Sequence, residues 1–321
     1  ELEEVIICKS IWFDEKNNAE NIYEEVYNQI IDIKEKIDEP RKVLLDNNQE
    51  KIDEPRSNFT KEEYFQNVRK ARDYIIAGDI FQVVPSQRLS IDFKSHPFLL
   101  YKSLREINPS PYMYYIKFED FFIVGSSPET LVKVEGKKVT INPIAGTRPK
   151  EGGKEDEIKK SLLSDPKERA EHLMLLDLGR NDVGRVSKIG SINVKESFQI
   201  QETSHLFHIF STVEGVLDSK EDRISALCAG FPAGTVTGAP KIRAMEIIDE
   251  LEKNKRKLYA GGIGYFTPNN EFDTCIALRT ALIKKDKFYV QAGAGIVADS
   301  RPEKEYAETV NKAKALMKAV D

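Results

Sequence analysis

With 321 residues, 40% of them apolar and 31% charged, and a mean hydropathy of −0.45, the chain can bury a substantial core but holds no apolar run long enough to cross a bilayer. A formal net charge of −5 gives no electrostatic case for nucleic acid or an anionic membrane surface, and leaves room for a local basic pocket that takes a small acid. Cys8, Cys228 and Cys275 are odd in number, far apart and without CxxC spacing, which argues against a disulfide framework or a thiolate zinc site and reads as buried free thiols in a cytoplasmic protein.

The opening stretch, ELEEVIICKSIWFDE, has neither the basic segment nor the cleavage pattern of a signal peptide, and no initiator Met, so the chain is expected to start within a longer protein. Residues 5–13 read as a strand. Ile22, Val26, Ile30, Ile33 and Ile37 then recur at helical spacing. Residues 38–58 are charged and Pro-containing, with KIDEPR at 36–41 and again at 51–56, and read as a mobile linker. A second block opens at Thr60, which stands three residues before Glu63 in the spacing of a capping box, ahead of a helix carrying Tyr64, Val68, Ala71 and Ile75 and stopped at Gly78. Strands are predicted over 80–84, 113–118, 121–124, 131–135 and 138–144, with Glu135-Gly136-Lys137-Lys138 as a hairpin turn. Helices follow near 166–178, 222–229, 240–253 and 302–319, with strands 261–267 and 288–292 between the last two. The expected fold is α+β, a layered sandwich of largely antiparallel or mixed β-sheets with helices on the outer faces. Residues 1–58 are expected to be the remnant of an N-terminal region, and 59–321 the main domain.

Several groups carry possible chemistry. Glu168 and Glu171 in KERAEHLMLLDL, and Glu305 and Glu308 in PEKEYAETVNKA, are each spaced i, i+3, so two helices meeting could present four carboxylates to Mg²⁺. The competing reading is a solvated face, since the apolar stripe of the second helix (Tyr306, Val310, Ala313, Met317, Val320) misses both Glu and Lys312 stands in salt-bridge register with Glu308. FPAGTVTGAPKIRAM resembles a phosphate loop entering a helix, yet Gly238 is followed by Ala239 and Pro240 before Lys241, which fails the Walker pattern. The 261–264 and 293–295 glycine clusters are either structural turns or open amides that hold a carboxylate. His208, beside Phe207 and Phe210, is either an acid-base group or a packed core residue. Arg279 in CIALRTAL needs an anion if buried, from a structural carboxylate or from a ligand. DLGRND, 177–182, reads as a self-satisfied helix end. NPIAGTRP, 142–149, has the turn-like glycine and basic residue of an anion loop around a chemically inert Ala145.

The order of these segments resembles the chorismate-utilising enzymes, most closely their anthranilate-forming branch. GDIFQVVPSQR, SPYMYY, GSSPE, PIAGTRP, AEHLMLLDLGRNDVGR, FPAGTVTGAPKIRAMEII, YAGGIGYF, DTCIALRTA and QAGAGIVADSRPEKEYAETVNKA follow in family order from about residue 60 to the C-terminus. The resemblance implies that 59–321 is a chorismate-binding catalytic domain forming anthranilate and pyruvate from chorismate and ammonia. Ammonia would come from a glutamine amidotransferase partner.

It implies further that Glu171 and Glu308 bind Mg²⁺, supported by Glu168 and Glu305, and that the metal holds the ring carboxylate. Gly146 and Thr147 would receive the same end of the substrate. Tyr259, Arg279 and the backbone of Gly293, Ala294 and Gly295 would hold the enolpyruvyl carboxylate. His208 would serve the elimination, Glu129 would act as general acid for the departing ring hydroxyl, and Thr235 would touch substrate. Aminodeoxychorismate-forming relatives carry a Lys where this chain has Ala145, and isochorismate-forming relatives a Lys base where it has Gln82. Both substitutions point to ammonia attacking ring carbon 2. Pro111, Tyr112 and Met113 match one half of a tryptophan feedback site, and nothing in this chain matches the other half.

Overall fold

The computed structural model describes residues 6–11, 19–38, 54–203 and 206–320. By its contacts the chain divides into two compact units, Glu1–Asp46 and Asn47–Asp321. In the first, helix α1 (Ala19–Asp38) forms where the Ile22 to Ile37 spacing predicts it, with Tyr23 and Tyr27 stacked one turn apart. Residues 6–11 are not a strand, and the rest of the strand predicted at 5–13 lies outside the described residues, as does 39–53 of the predicted linker.

The second unit starts with β1 (Arg56–Ser57) and α2 (Lys61–Ile76). The capping box is present: Glu63 N–H donates to Thr60 Oγ1 at 3.2 Å and Thr60 N–H donates to Glu63 Oε2 at 2.8 Å. Caps of this kind contribute about 1 kcal/mol. Gly78, at φ +85°, turns the chain out of the helix. There follow β2 (Gln82–Val83), β3 (Ser86–Asp92), α3 (Pro97–Ile107), β4 (Tyr112–Lys117), β5 (Phe122–Ser127), β6 (Thr130–Glu135), β7 (Lys138–Ile141) and β8 (Ile144–Pro149). Next come α4 (Glu155–Ser164), α5 (Pro166–Gly184), β9 (Asn193–Glu202), β10 (Leu206–Val216) and α6 (Arg223–Gly230). The chain ends with β11 (Gly238–Ala239), α7 (Lys241–Leu251), β12 (Gly262–Phe266), β13 (Phe272–Ile276), β14 (Thr280–Lys284), β15 (Lys287–Gly293) and α8 (Pro302–Met317).

Among the described residues one sheet runs β1-β3-β15-β14-β5-β4, a second β12-β13-β6-β7-β10-β8 with β9 on the free edge of β10, and β2 and β11 form a two-stranded third. Every pairing is antiparallel, so the expected α+β sandwich is observed without a parallel component. Helices α3 and α8 cover the first sheet through Leu100, Leu104, Ala313, Leu316 and Met317 against Leu89, Val124, Phe288 and Val290. On the second sheet α6 packs on Val132 and Val134, α4 on Phe207 and Ile209, and α5 on Val213.

The single strand predicted at 138–144 is two, β7 and β8, and the cause is Pro143. Without an N–H it cannot continue the ladder, so β10 pairs first with one and then with the other. The predicted thiol burial holds for Cys275 alone. Cys8 is exposed, and Cys228 lies on the outer face of α6 between buried Ala226 and Ala229.

Candidate active site

The chain passes from the first sheet to the second between β5 and β6, and there it places Glu129. It passes back between β13 and β14, and there it places Arg279. The crossings are stitched together, Ile276 N–H donating to the Glu129 carbonyl at 3.0 Å and Ser126 N–H to the Arg279 carbonyl at 3.1 Å. Arg279 has φ +47°, a left-handed conformation that costs a residue with a Cβ on the order of 1 kcal/mol. Burial lowers its pKa and the Glu129 charge opposes that, but among the described residues its guanidinium makes no ion pair. A strained backbone is thus holding an unpaired cation at a sheet crossing.

The crossings open onto a cavity of about 270 Å³. It gathers Gln82, Glu129, Ala145, Gly146, Thr147, Glu171, His208, Thr235, Tyr259, Arg279, Gly293, Gly295 and Glu308 from segments scattered over 227 positions of sequence, from 82 to 308 counted inclusively. Glu129 is buried, which pushes its carboxyl up to about 7 against the downward pull of the Thr235 hydroxyl, Lys312 and Arg279. At neutral pH it therefore still carries a proton in a large share of molecules, as an ordinary carboxyl does not. His208 lies on β10 with Nδ1 donating to the Gly146 carbonyl at 3.0 Å and 3.2 Å from Thr147 Oγ1. That contact places the proton on Nδ1, and burial lowers the pKa, so Nε2 is left with a free lone pair.

Tyr259 carries its phenol up to about 12, by burial, and its hydroxyl faces the Gly293 backbone so closely that a Cβ there would stand 2.8 Å from it. Arg256 stacks over the ring at 5.3 Å while its Nη1 donates to the Val236 carbonyl at 2.6 Å, which fixes the ring from behind. Gln82 is 3% exposed, and its Oε1 finds no protein donor. Beside it Gly295 is required, since a Cβ would lie 2.4 Å from Gln82 Nε2. Gly146, at φ +66°, brings β8 against α5, where a Cβ would meet Glu168 Oε2 at 3.0 Å.

The acidic residues divide. Glu171 and Glu308 line the cavity, whereas Glu168 is held by Arg148 Nη1 at 2.8 Å and Glu305 sits beside Ser300 at the start of α8. Burial raises the Glu171 pKa, and the charges of Glu168 and Glu308 raise it further, so the carboxylates repel one another. Lys312 partly offsets this, its Nζ lying 2.7 Å from Glu308 Oε1 and donating to the Gly293 carbonyl at 3.0 Å. Among the described residues no three His, Cys, Asp or Glu side chains form a ready-made cage.

Other expectations fall differently. Ala294 points into the core and its N–H donates to the Pro85 carbonyl at 3.3 Å, so only its neighbours face the cavity. Pro111, Tyr112 and Met113 lie at the start of β4, away from the cavity, where the Tyr112 hydroxyl donates to Asp273 Oδ1 at 2.8 Å. Lys241 is paired with buried Asp182 at 2.7 Å, so it is not a free phosphate ligand. DLGRND is self-satisfied only through Asp177 and Arg180, 3.0 Å apart.

A family model described as chorismate binding enzyme matches residues 5–318. The chain belongs to the chorismate binding enzyme family. It is 52% identical over 321 residues to anthranilate synthase component 1 of Cereibacter sphaeroides, covering 99% of this chain and 64% of that one. It is 51% identical over 311 residues to the protein of the same name in Aquifex aeolicus, covering 95% and 63%. The crystal structure of anthranilate synthase component I from Streptococcus pneumoniae TIGR4 superposes with a TM-score of 0.85 at 42% identity, over 94% of this chain and 67% of that one. The chain thus spans less than two thirds of the length of those two curated relatives.

In this chorismate binding enzyme, residues the sequence did not single out for the site also line it. Gln201 and Thr203 come from the end of β9, and Lys312 from α8. The β9 contribution had no sequence signal, because an edge strand with polar residues on both faces shows no alternation.

Proposed function

We propose that residues 59–321 form the catalytic domain of an anthranilate synthase component I, a carbon-oxygen lyase that makes anthranilate and pyruvate from chorismate and ammonia. The observation that carries this reading is Arg279, an unpaired guanidinium held in a strained backbone beside mutually repelling carboxylates in one cavity. Such a cavity suits a dianion: the guanidinium takes one carboxylate directly, and the Glu side chains take the other through a cation.

The donor set fits Mg²⁺. Carboxylate oxygens are the hard ligands that ion takes, Glu171 and Glu308 would hold it, and the repulsion that raises the Glu171 pKa is what a dication relieves. Glu168 and Glu305 would support them. When bound, Mg²⁺ neutralises and orients the ring carboxylate. Gly146 and Thr147 border that end, and the Tyr259 hydroxyl, protonated at any physiological pH, donates to the enolpyruvyl carboxylate beside Arg279 and the 293–295 backbone.

Ammonia then attacks ring carbon 2 while the double bonds shift and the 4-hydroxyl leaves, taking the proton of Glu129 to depart as water, and the ammonium formed at carbon 2 sheds one proton to solvent. Gln82 Oε1, which lacks a protein donor, accepts a hydrogen bond from the incoming ammonia and cannot activate water as a Lys would. Elimination follows: Nε2 of His208 removes the carbon 2 proton, the enolpyruvyl methylene gains one, and the ring becomes aromatic as pyruvate departs. Thr235 contacts the substrate beside Glu129. In the cytoplasm ammonia would be supplied by a glutamine amidotransferase subunit, and Pro111, Tyr112 and Met113 would contribute one half of a tryptophan feedback site. A chorismate-binding subunit without turnover is the competing reading.

The test is a product assay with chorismate, Mg²⁺ and ammonium, which is expected to give anthranilate fluorescence and one pyruvate per anthranilate. An amine that retains its pyruvyl group would assign the chain to 4-amino-4-deoxychorismate synthesis, and binding without turnover would make it a ligand-binding subunit. Ala145→Lys should cut anthranilate formation by about tenfold or more, since an ammonium would project into the space that ammonia crosses; an unchanged rate would remove Ala145 from the argument.

A further inference from the structure

Behind Glu129 and Thr235 lies a second, much smaller cavity, of about 30 Å³, whose other wall holds Asp182. Two buried oxygens face this region with no protein donor to accept from: Asp182 Oδ1, and Thr235 Oγ1, whose own proton pulls on the Glu129 carboxyl and leaves its lone pairs open. Unsatisfied buried oxygens are rare and each calls for an explanation. A cavity of this size has room for one or two waters, and although Leu131, Ile141, Leu175 and Leu178 make most of its wall apolar, the oxygens of Thr235, Asp182 and Glu129 supply the partners a water needs. The other oxygen of Asp182 accepts from Lys241 Nζ at 2.7 Å in a buried pair, 4% and 10% exposed, of which the lysine is the member nearer solvent. Within the chain, α5 supplies Asp182 and α7 supplies Lys241, and the catalytic reading gives neither a role.

We propose that this cavity holds a bound water that links the Asp182–Lys241 pair to Glu129 by way of the Thr235 hydroxyl, and that protons return to Glu129 along this line. The inference rests on the catalytic role proposed for Glu129. When Glu129 gives its proton to the departing hydroxyl it becomes a carboxylate in a buried site, with substrate closing the main cavity in front of it. Lys241 passes a proton to Asp182 Oδ2 and regains one from solvent; the neutral carboxyl turns its O–H to the cavity and gives that proton to the water, the water gives one to Thr235, and Thr235 gives its hydroxyl proton to the Glu129 carboxylate. Each group ends as it began, and the net transfer is one proton from solvent to Glu129. Electrostatics favours this direction. Lys312, Arg279 and Tyr259 face Glu129 from the cavity side, and Lys241 and Arg185 face Asp182, so the line lies between cations that stabilise a passing carboxylate without adding a competing acid.

A high-resolution crystal structure of the chain decides the binding site on its own: an ordered water within hydrogen-bond reach of both Thr235 Oγ1 and Asp182 Oδ1 is expected, and a dry cavity overturns the proposal whatever the activity. The proton route is tested with Asp182→Asn/Lys241→Met, which neutralises the pair at nearly constant volume. Turnover is expected to fall about tenfold with KM unchanged, and the solvent deuterium isotope effect on kcat to rise, because reprotonation becomes slow. A variant that melts like the parent and keeps its kcat and isotope effect overturns the route. A parent chain that holds the water but makes no anthranilate would remove the catalytic reading and leave the water site standing.

Discussion

Arg279 is the residue at which structure and function pull apart most clearly. A guanidinium buried for stability would be paired, and its loss would leave a partner charge uncompensated. Here no ion-pair partner is present among the described residues, so Arg279→Gln removes a desolvated cation and gives up only the attraction to the Glu129 charge. The expected result is a kcat/KM at least about 100-fold lower, as for loss of one member of a buried charge pair in a complex, with a melting temperature equal to or above the parent's. Thermal melts and chorismate kinetics on one preparation check it, and a lower melting temperature would make Arg279 a structural residue. His172, the next residue after Glu171, shows the opposite case. It is fully buried, its Nε2 lies 2.7 Å from Ser211 Oγ, its ring packs edge-on against Phe198, and burial pushes its pKa from 6.5 down to about 4. The unfolded chain therefore binds a proton below pH 6.5 that the folded chain refuses until about 4. Stability is full above 6.5 and is lost as pH falls through that window, by about 3 kcal/mol at most. Denaturant titrations at pH 7.5 and 4.5, for the parent and His172→Gln, should show the parent losing more of its stability than the variant.

At the scale of elements, α5 and α8 are brought together by the sheets, and their carboxylates meet at a cost. Removing one should lower it. Glu171→Gln is expected to raise the melting temperature in chelator, because burial and the Glu168 and Glu308 charges all disfavour its ionised form, and to abolish the stabilisation that Mg²⁺ gives the parent. Melts with and without Mg²⁺ read both effects, and a variant that Mg²⁺ still stabilises as it does the parent would move the metal elsewhere. The sequence made these helices legible but not their division of labour. Spacing i, i+3 puts Glu168 and Glu171 on one side of α5, yet whether a carboxylate reaches the cavity depends on Arg148, which binds Glu168 from β8 and is not in register with it by any local rule. His208 was legible in principle. On β10 burial alternates, Phe207 and Ile209 inward and His208 between them on the other face, so period two alone separates it from its apolar neighbours once the strand is assigned. The polar strand β9 and the buried Ser86 and Gln87 of β3 break that alternation, so period two does not announce those strands. Asp182 and Lys241 are a buried pair 59 residues apart, which no local pattern announces.

For the molecule as a whole the question is how a dianion reaches its site on a protein whose own formal charge is −5. At long range the two repel each other. The main cavity shares Thr203, Arg279, Glu308 and Lys312 with an adjoining hollow of about 770 Å³ in which Lys304 and Lys318 also stand, and Glu308, the carboxylate of this rim, is already paired with Lys312. The mouth is therefore locally cationic, and a cleft of one sign concentrates field lines and raises the arrival rate of an oppositely charged ligand. Lys304 and Lys318 are exposed and line the outer hollow but not the main cavity, so they act on arrival rather than on chemistry. Screening lengths fall to about 10 Å at 0.1 M salt, comparable to the reach of such a mouth. Parent kcat/KM for chorismate should consequently decline as salt rises at constant Mg²⁺. In Lys304→Gln/Lys318→Gln, kcat/KM at low salt should be lower by about three- to tenfold, the salt dependence shallower, and kcat unchanged. Parallel slopes for parent and variant would mean that the lysines are solvated surface charges, and that the field felt by the substrate is set inside the cavity by Arg279 and Lys312.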